Sequence, residues 1–146
     1  MTGEIQTWIA PLTVLASIAA VLVVRAVAVI LIHPDATFLP LTLTPVILDT
    51  AVLVTIAAFV FRRIVSGGSL PGPILALIGG RFFTLDRVSA FRVVAFRALM
   101  ISFLPDIGVV VSRPQYWQYA LTLAAMHVVA WAVCVRMLTS LVKRAA

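Results

Sequence analysis

The chain has 146 residues, of which 63% are apolar and only 11% are charged, and its net charge is +6 at pH 7. Soluble domains are typically about 45–50% apolar and about 25% charged, so this composition excludes an ordinary soluble fold and predicts an all-α integral membrane protein. In a soluble protein the positive charge would indicate a nucleic-acid partner. Here it clusters at helix ends, so the expected partner is the lipid bilayer with its anionic headgroups. No extramembrane stretch is long enough for a core of its own, so residues 1–146 are expected to form a single transmembrane domain.

Two long apolar runs occupy the first half of the chain. The first covers about residues 9–32 and is interrupted only by Arg25, and the second covers about residues 45–65 and ends at Arg62 and Arg63. About 20 helical residues cross the roughly 30 Å hydrocarbon core of a bilayer, so each run predicts a membrane-spanning helix. Pro45 suits the first turn of the second helix, because its missing N–H removes no intrahelical hydrogen bond there.

The connection between the second and third runs, residues 66–89, differs from the spans around it. It opens with glycines and prolines, continues with five apolar residues, and then contains Arg81, Phe82 and Phe83. Five apolar residues are too few to span, and adjacent aromatics beside a cation are typical of a segment at the membrane interface. Two further apolar runs, about residues 89–111 and 115–142, complete a predicted four-helix bundle.

The distribution of Lys and Arg predicts the orientation of this bundle. One side of the membrane would hold Arg113 alone, whereas the other would hold Arg62, Arg63, Arg81, Arg87, Arg92, Lys143 and Arg144. Because basic connections stay in the cytoplasm, both termini are predicted to be cytoplasmic, with the protein in the plasma membrane. Tyr116 and Trp117 fall beside Arg113, as expected of an aromatic belt at the outer interface.

Three charged residues fall inside the predicted spans near one face of the membrane: Arg25, Asp49 and Asp106. At 1.5 Å per residue they lie about 6–11 Å below the outer boundary, within mutual reach if their helices are neighbours. A guanidinium can hold two carboxylates and an unpaired charge in hydrocarbon is costly, so Arg25 is predicted to bridge one or both aspartates. Ser102 lies one turn before Asp106 on the same helical face. Such a cluster either fixes the register of the helices or forms a polar pocket for a headgroup, an ion or a proton.

His127 lies near the middle of the fourth predicted span and is a possible ligand or proton site. The other histidine, His33, falls at the outer edge of the first span, roughly 10 Å or more higher, so a haem held by both is not expected. A hydrogen bond to a backbone carbonyl or to Ser102 is the simplest role for His127. Cys134 is the single cysteine, which leaves no internal disulfide and no thiolate cluster, and neither a metal nor a cofactor is expected.

Two segments carry a resemblance to a known family: residues 99–106, LMISFLPD, and residues 125–130, AMHVVA. The chain resembles a family of small uncharacterised bacterial four-helix integral membrane proteins, in which a Ser-x-x-Pro-Asp-like stretch ends the third helix and a Met-His pair lies in the fourth. The resemblance covers most of the chain, implies four spans and singles out Asp106 and His127. It implies no activity, and the connection from Gly67 to Leu85 is longer here than in that pattern.

Motifs of common enzymes are missing from the sequence, including HExxH, GxSxG, the phosphate loop and CxxC, and so are the internal repeats of many transporters. The chain is therefore predicted to be no enzyme but a non-catalytic accessory or scaffold subunit, packed against other membrane subunits or copies of itself. Two alternatives stay open. One is a small proton, ion or solute transport component that uses Arg25, Asp49 and Asp106. The other is a quinone- or haem-associated anchor subunit of a redox complex, with His127 near the cofactor.

Overall fold

The computed structural model describes residues 2–34, 38–67, 72 and 86–145. We number its four long helices in chain order as α1 (Thr2–Ile32), α2 (Leu43–Val65), α3 (Arg87–Ser112) and α4 (Trp117–Ala145). Short 3-10 turns, Leu39–Leu41 and Pro114–Tyr116, precede α2 and α4. These residues include no strand, which confirms the prediction of an all-α protein with four helices.

All four helices are long and apolar enough to cross a membrane, over the stretches Trp8–Ile32, Leu43–Val65, Arg87–Ser112 and Pro114–Ser140. Each also exposes large apolar side chains. Leu15, Val52, Leu104 and Leu121, one from each helix, keep more than half of their surface uncovered. Soluble monomers rarely expose apolar surface on this scale, and four such helices suggest a membrane protein. The predicted interfacial segment with Arg81, Phe82 and Phe83 lies outside the described residues.

The helices run alternately up and down around the bundle. α1 packs extensively against α2 and α4, and α3 packs mainly against α4, so α1 and α3 lie diagonally opposite each other. We call the end that carries Arg62, Arg63, Arg87 and Arg92 the basic end. The opposite end, which carries the two 3-10 turns, is called the turn end. This arrangement decides which polar side chains can meet, because only helices that pack together can bring side chains into contact.

The core consists of two clusters of different make-up. At the basic end, α2, α3 and α4 meet around Phe91, which is 1% exposed and packs edge-to-face against Phe61 with ring centroids 4.9 Å apart. At the turn end four elements each contribute one buried residue. These residues are Val21 of α1, Leu41 of the turn before α2, Val46 of α2 and Met126 of α4. No described residue of α3 belongs to this second cluster. At the turn end α3 therefore packs mainly on α4, along an interface of its own.

The end of α2 is tied to the start of α3. Gly67 has φ +71°, a left-handed conformation that glycine adopts without a Cβ clash, and its N–H donates to the Ile64 carbonyl at 3.2 Å. The Arg87 guanidinium donates from Nη1 to the Val65 carbonyl. A cation at the C-terminus of a helix also complements the helix dipole, so this contact favours the close approach of α2 and α3 at the basic end.

Asp86 caps the N-terminus of α3. The Ser89 N–H donates to Asp86 Oδ2 at 3.2 Å, and the hydrogen bonds from Ser89, first its side chain and then its backbone, hold the pKa of the Asp86 carboxyl below its ordinary value of 3.8. A lowered folded-state pKa stabilises the helix above the pKa of the unfolded chain, and this stability is lost as the pH falls through the folded-state pKa.

The Asp86 cap predicts a pH-dependent effect of substitution. Asp86→Ala is expected to lower the thermal unfolding midpoint of α3 at neutral pH, because the substitution removes a charge-assisted cap. The difference between the two midpoints should shrink well below pH 3.8, because the Asp86 carboxyl of the parent chain is then protonated and no longer a charged cap. Helical ellipticity in detergent measures both values. Asp86→Ser keeps an uncharged cap, so its midpoint should show less pH dependence than that of the parent, and an equally steep pH dependence would contradict the assignment.

Candidate functional site

The most enclosed charged side chain among the described residues is Asp106, on α3 near the turn end. The residue is 5% exposed, and its Oδ2 lies 3.6 Å from Nε2 of His127 on α4. Side-chain exposure is 7% for Asp106 and 28% for His127. An acid and a base thus meet in the interface between two apolar helices, where intramembrane ionisable groups are expected to be functional or paired.

The helix periodicity accounts for this meeting. Asp106 lies two turns after Leu99, which is buried on the same face of α3, and His127 directly follows the buried Met126 of α4. The Phe103 ring, on the same helix as Asp106, approaches the imidazole edge-on, with centroids 6.3 Å apart. The pair therefore lies in an apolar wall rather than in an open polar cavity.

The hydrogen bonding of Asp106 is incomplete. A separation of 3.6 Å is longer than a hydrogen bond between nitrogen and oxygen, and Asp106 Oδ2 has neither solvent exposure nor a hydrogen-bond donor among the described residues. A buried carboxylate without a donor is costly, and one proton held between the carboxylate and the imidazole would satisfy both groups. The chemistry available to this pair is therefore the binding and release of a proton.

Ser102 does not complete the site. Its hydroxyl donates to the Leu99 carbonyl of its own helix at 2.7 Å, a bond that Ser and Thr often form within apolar helices. Of the two partners predicted for His127, a backbone carbonyl or Ser102, neither forms a hydrogen bond with it among the described residues, and its Nε2 faces Asp106 instead. Ser102 is half-buried and borders the interface without supplying a donor to Asp106.

The predicted bridge from Arg25 to the aspartates is wrong. Arg25 Nε donates to the Leu41 carbonyl at 2.7 Å, in the 3-10 turn before α2, and Arg25 forms an ion pair with neither Asp49 nor Asp106. The reason is the helix order. α1 and α3 are diagonal, so α4 rather than α1 faces Asp106. Arg25 instead joins α1, through this hydrogen bond, to the connection that leads into α2.

Asp49 lies on the outer surface of α2 and does not join a buried cluster. The buried face of α2 is formed by Val46, Thr50, Val54 and Ala58, about one residue per turn, and Asp49 is rotated by about 100° from its neighbour Thr50. Its neighbours on the exposed face are Leu48, Val52 and Leu53, each more than half exposed. A single carboxylate therefore interrupts a largely apolar stretch of this surface.

The predicted interfacial residues that can be described lie at helix ends. Arg62 and Arg63 are exposed in the last turn of α2, and the Arg63 guanidinium lies 5.2 Å from the centre of the Phe59 ring. Arg113 lies 5.8 Å from the Tyr116 ring at the opposite end, and Trp117 is 55% exposed at the start of α4. Lys143 and Arg144 belong to the last turn of α4.

The pairing of Asp106 with His127 does not follow from the separate roles that the sequence suggests for them. A signal for it is nevertheless present in the chain. Asp106 lies eight residues before Pro114 and His127 eleven residues after Tyr116. In an antiparallel hairpin such residues lie at similar depths on neighbouring helices. Counting outward from the 114–116 turn therefore brings these two residues together.

The described residues contain no group of three or more His, Cys, Asp or Glu side chains that could hold a metal ion. No protein-family model, curated protein or solved structure matches the chain. Its function therefore has to be inferred from its own side chains, above all from Asp49 and from the pair of Asp106 and His127.

Proposed function

We propose that the protein is a non-catalytic accessory or scaffold subunit of a larger membrane assembly, and that it docks through the exposed face of α2 formed by Leu48, Asp49, Val52, Leu53 and Ile56. The observation that supports this proposal is the exposed position of Asp49 within an apolar helix surface. Asp49 lies six residues after the start of α2, about 9 Å along the helix axis.

Lipid is a poor environment for the Asp49 side chain. An aspartate costs about 2.5–3.5 kcal/mol at the centre of a membrane helix on insertion scales, and Asp49, nearer one end of α2, carries part of this cost. The exposed cations Arg97 and Arg136 are long enough to extend their charged ends toward the headgroups, whereas the short Asp49 side chain has little reach. A partner that covers Asp49 would remove this cost, which makes the α2 face the preferred docking surface.

The chemistry of the α2 face also indicates the kind of partner. A two-fold contact centred on this face would place two Asp49 carboxylates close together, and like charges in a low-dielectric contact repel. The preferred occupant is therefore a membrane helix of another polypeptide. That helix would be apolar along its length and would present a Lys, an Arg or a hydrogen-bond donor at the depth of Asp49.

Orientation and location are part of this proposal. We propose that the basic end faces the cytoplasm, with both termini there and the protein in the plasma membrane. The arginines at that end support this orientation through the preference of basic connections for the cytoplasm.

Extraction of the assembly into native nanodiscs tests the docking face. The parent chain is expected to migrate at a mass well above its own 15.7 kDa protein mass, together with a second polypeptide. Asp49→Ala should weaken this association by about 2 kcal/mol or more, roughly 30-fold in the dissociation constant, because the partner's donor loses its acceptor. Mass photometry over a range of dilutions gives the dissociation constants of the parent chain and of the Asp49→Ala variant.

Asp86→Asn is the matched control, because it also removes one carboxylate but lies outside α2 at the basic end. It should leave the association unchanged. A parent chain that runs as a single copy, or as a homo-oligomer insensitive to Asp49→Ala, would contradict the proposed docking face.

A second candidate function is a proton-binding component of a transport system, and the buried pair of Asp106 and His127 favours it. The pair replaces the predicted cluster of Arg25, Asp49 and Asp106 as the proton site. A pH-dependent flux in proteoliposomes that disappears when both residues of the pair become leucine would support this candidate, and an unchanged flux would exclude it. The redox-anchor alternative is less favoured, because His127 Nε2 already faces a carboxylate and is a poor axial position for haem.

A further inference from the structure

A second feature lies between α3 and α4, nearer the basic end than the pair of Asp106 and His127. It is an open groove of about 420 Å³. The lining residues are Arg92, Val93, Phe96, Arg97, Trp131 and Val135. Two arginine residues therefore border a groove whose wall is almost entirely apolar. None of the lining residues carries a negative charge.

Arg92 provides the accessible cation of the groove. The residue is exposed, and its guanidinium forms no ion pair and no hydrogen bond with another described residue. It lies five residues into α3, about 7.5 Å along the axis from Arg87. This depth is compatible with the headgroup region of a bilayer, since a long basic side chain reaches toward the interface. A phosphate there could accept a charge-assisted hydrogen bond from Arg92.

Trp131 provides an unused donor deeper in the same groove. Its Nε1 is shielded from solvent and has no acceptor among the described residues. The ring packs edge-on against Phe96, with centroids 6.4 Å apart, and this contact fixes its orientation. Buried indole N–H groups usually find an acceptor, so this unpartnered donor on a residue of the groove wall is the candidate to bond a bound molecule when the ring shifts toward it.

We propose that this groove binds an anionic phospholipid. The phosphate accepts from Arg92, an ester carbonyl of the same lipid accepts from Trp131 Nε1, and an acyl chain lies along Val93, Phe96 and Val135. Free phosphate would share the contact with Arg92, but it has neither the ester carbonyl nor the chain that the rest of the groove fits. Basic pockets between membrane helices on the cytoplasmic side are known binding places for anionic lipid headgroups.

Native mass spectrometry of the full chain in detergent tests this proposal. The probes are phosphatidylglycerol and, as the zwitterionic comparison, phosphatidylcholine with the same acyl chains. Phosphatidylglycerol is expected to bind more tightly, and Arg92→Gln should weaken it roughly tenfold, the effect of losing one hydrogen bond to a charged group. Arg62→Gln is the matched control, because it removes an exposed arginine at the same end but on α2, and binding should stay at the parent level.

Two further measurements separate the alternatives. Trp131→Phe keeps an aromatic ring but removes the N–H, and it should weaken phosphatidylglycerol binding several-fold through the ester contact. Arg92→Lys retains the charge and should keep part of the affinity, as expected if the charge contributes to binding, and the helical ellipticity of Arg92→Gln should equal that of the parent. Equal binding by the Arg92→Gln and Arg62→Gln variants would overturn the site. Competition by glycerol 3-phosphate at the same concentration as the lipid would assign the groove to a free phosphate and overturn the lipid assignment.

Discussion

Replacing Phe91 by alanine is expected to lower the free energy of unfolding by about 3–5 kcal/mol, the usual cost of removing a buried aromatic ring. Phe91 is 1% exposed and lies where α2, α3 and α4 converge. Its ring packs against Phe61, and an edge-to-face contact of this kind adds about 0.5–1.5 kcal/mol beyond the burial of surface. Because Phe91 and Phe61 join α3 to α2, the resulting cavity should loosen the packing of the basic end.

Phe96→Ala is the matched control on the same helix. Phe96 is 50% exposed and contacts Trp131 at one edge only, so its loss should cost no more than about 1.5 kcal/mol. Reversible unfolding in mixed detergent micelles measures both variants against the parent chain. Similar losses for Phe91→Ala and Phe96→Ala would show that the core does not lie where α2, α3 and α4 meet.

Replacing His127 by leucine is expected to have a comparably large effect at neutral pH, about 3–5 kcal/mol. The substitution leaves the buried Asp106 carboxyl without the one ionisable side chain that faces it among the described residues, and breaking a buried pair from one side usually costs this much. The same unfolding measurement detects the loss. The effect does not arise from a cavity, because leucine fills a volume similar to that of the imidazole.

The double variant Asp106→Leu/His127→Leu separates pairing from packing. Apolar residues in place of both partners leave no uncompensated charge, so the double variant should be close to the parent in stability or more stable by about 1–4 kcal/mol. The two substitutions would then be strongly non-additive, as expected of residues in contact. A double variant that loses the sum of the two single losses would contradict the pair. A stable double variant is also the appropriate protein for the flux measurement, since it is folded without the proton site.

The four helices can be predicted from the sequence because long apolar runs have few alternatives. A run such as residues 9–32 cannot be buried inside a protein of this size, and Pro34, Gly67 and the Pro114 turn interrupt the helical pattern between runs. The ends of the helices follow from the same signals within a few residues. The exception is the start of α1, which begins at Thr2 rather than near residue 9, since Pro11 is tolerated inside the helix.

The rotation of each helix about its own axis could not be predicted in the same way. One residue corresponds to about 100° of rotation, and a span that is apolar all round gives no amphipathic pattern from which to choose the buried face. Asp49 shows the consequence. It is adjacent in sequence to the buried Thr50 and yet lies on the outer surface. The hydrogen-bond partner of Arg25 could not be predicted either. Arg25 donates to the Leu41 carbonyl, and because every residue has a backbone carbonyl, the sequence does not indicate which one accepts.

Photo-cross-linking in native membranes tests the central proposal most directly. A photoreactive side chain at Val52, on the exposed face of α2 with Asp49, should form an adduct with a second polypeptide. The same side chain at Val128, an exposed position on α4, should label lipid only. Protein adducts at Val52 that disappear in the Asp49→Ala background are the predicted result. Lipid labelling alone at both positions would contradict a docking face on α2 and with it the role of an accessory subunit.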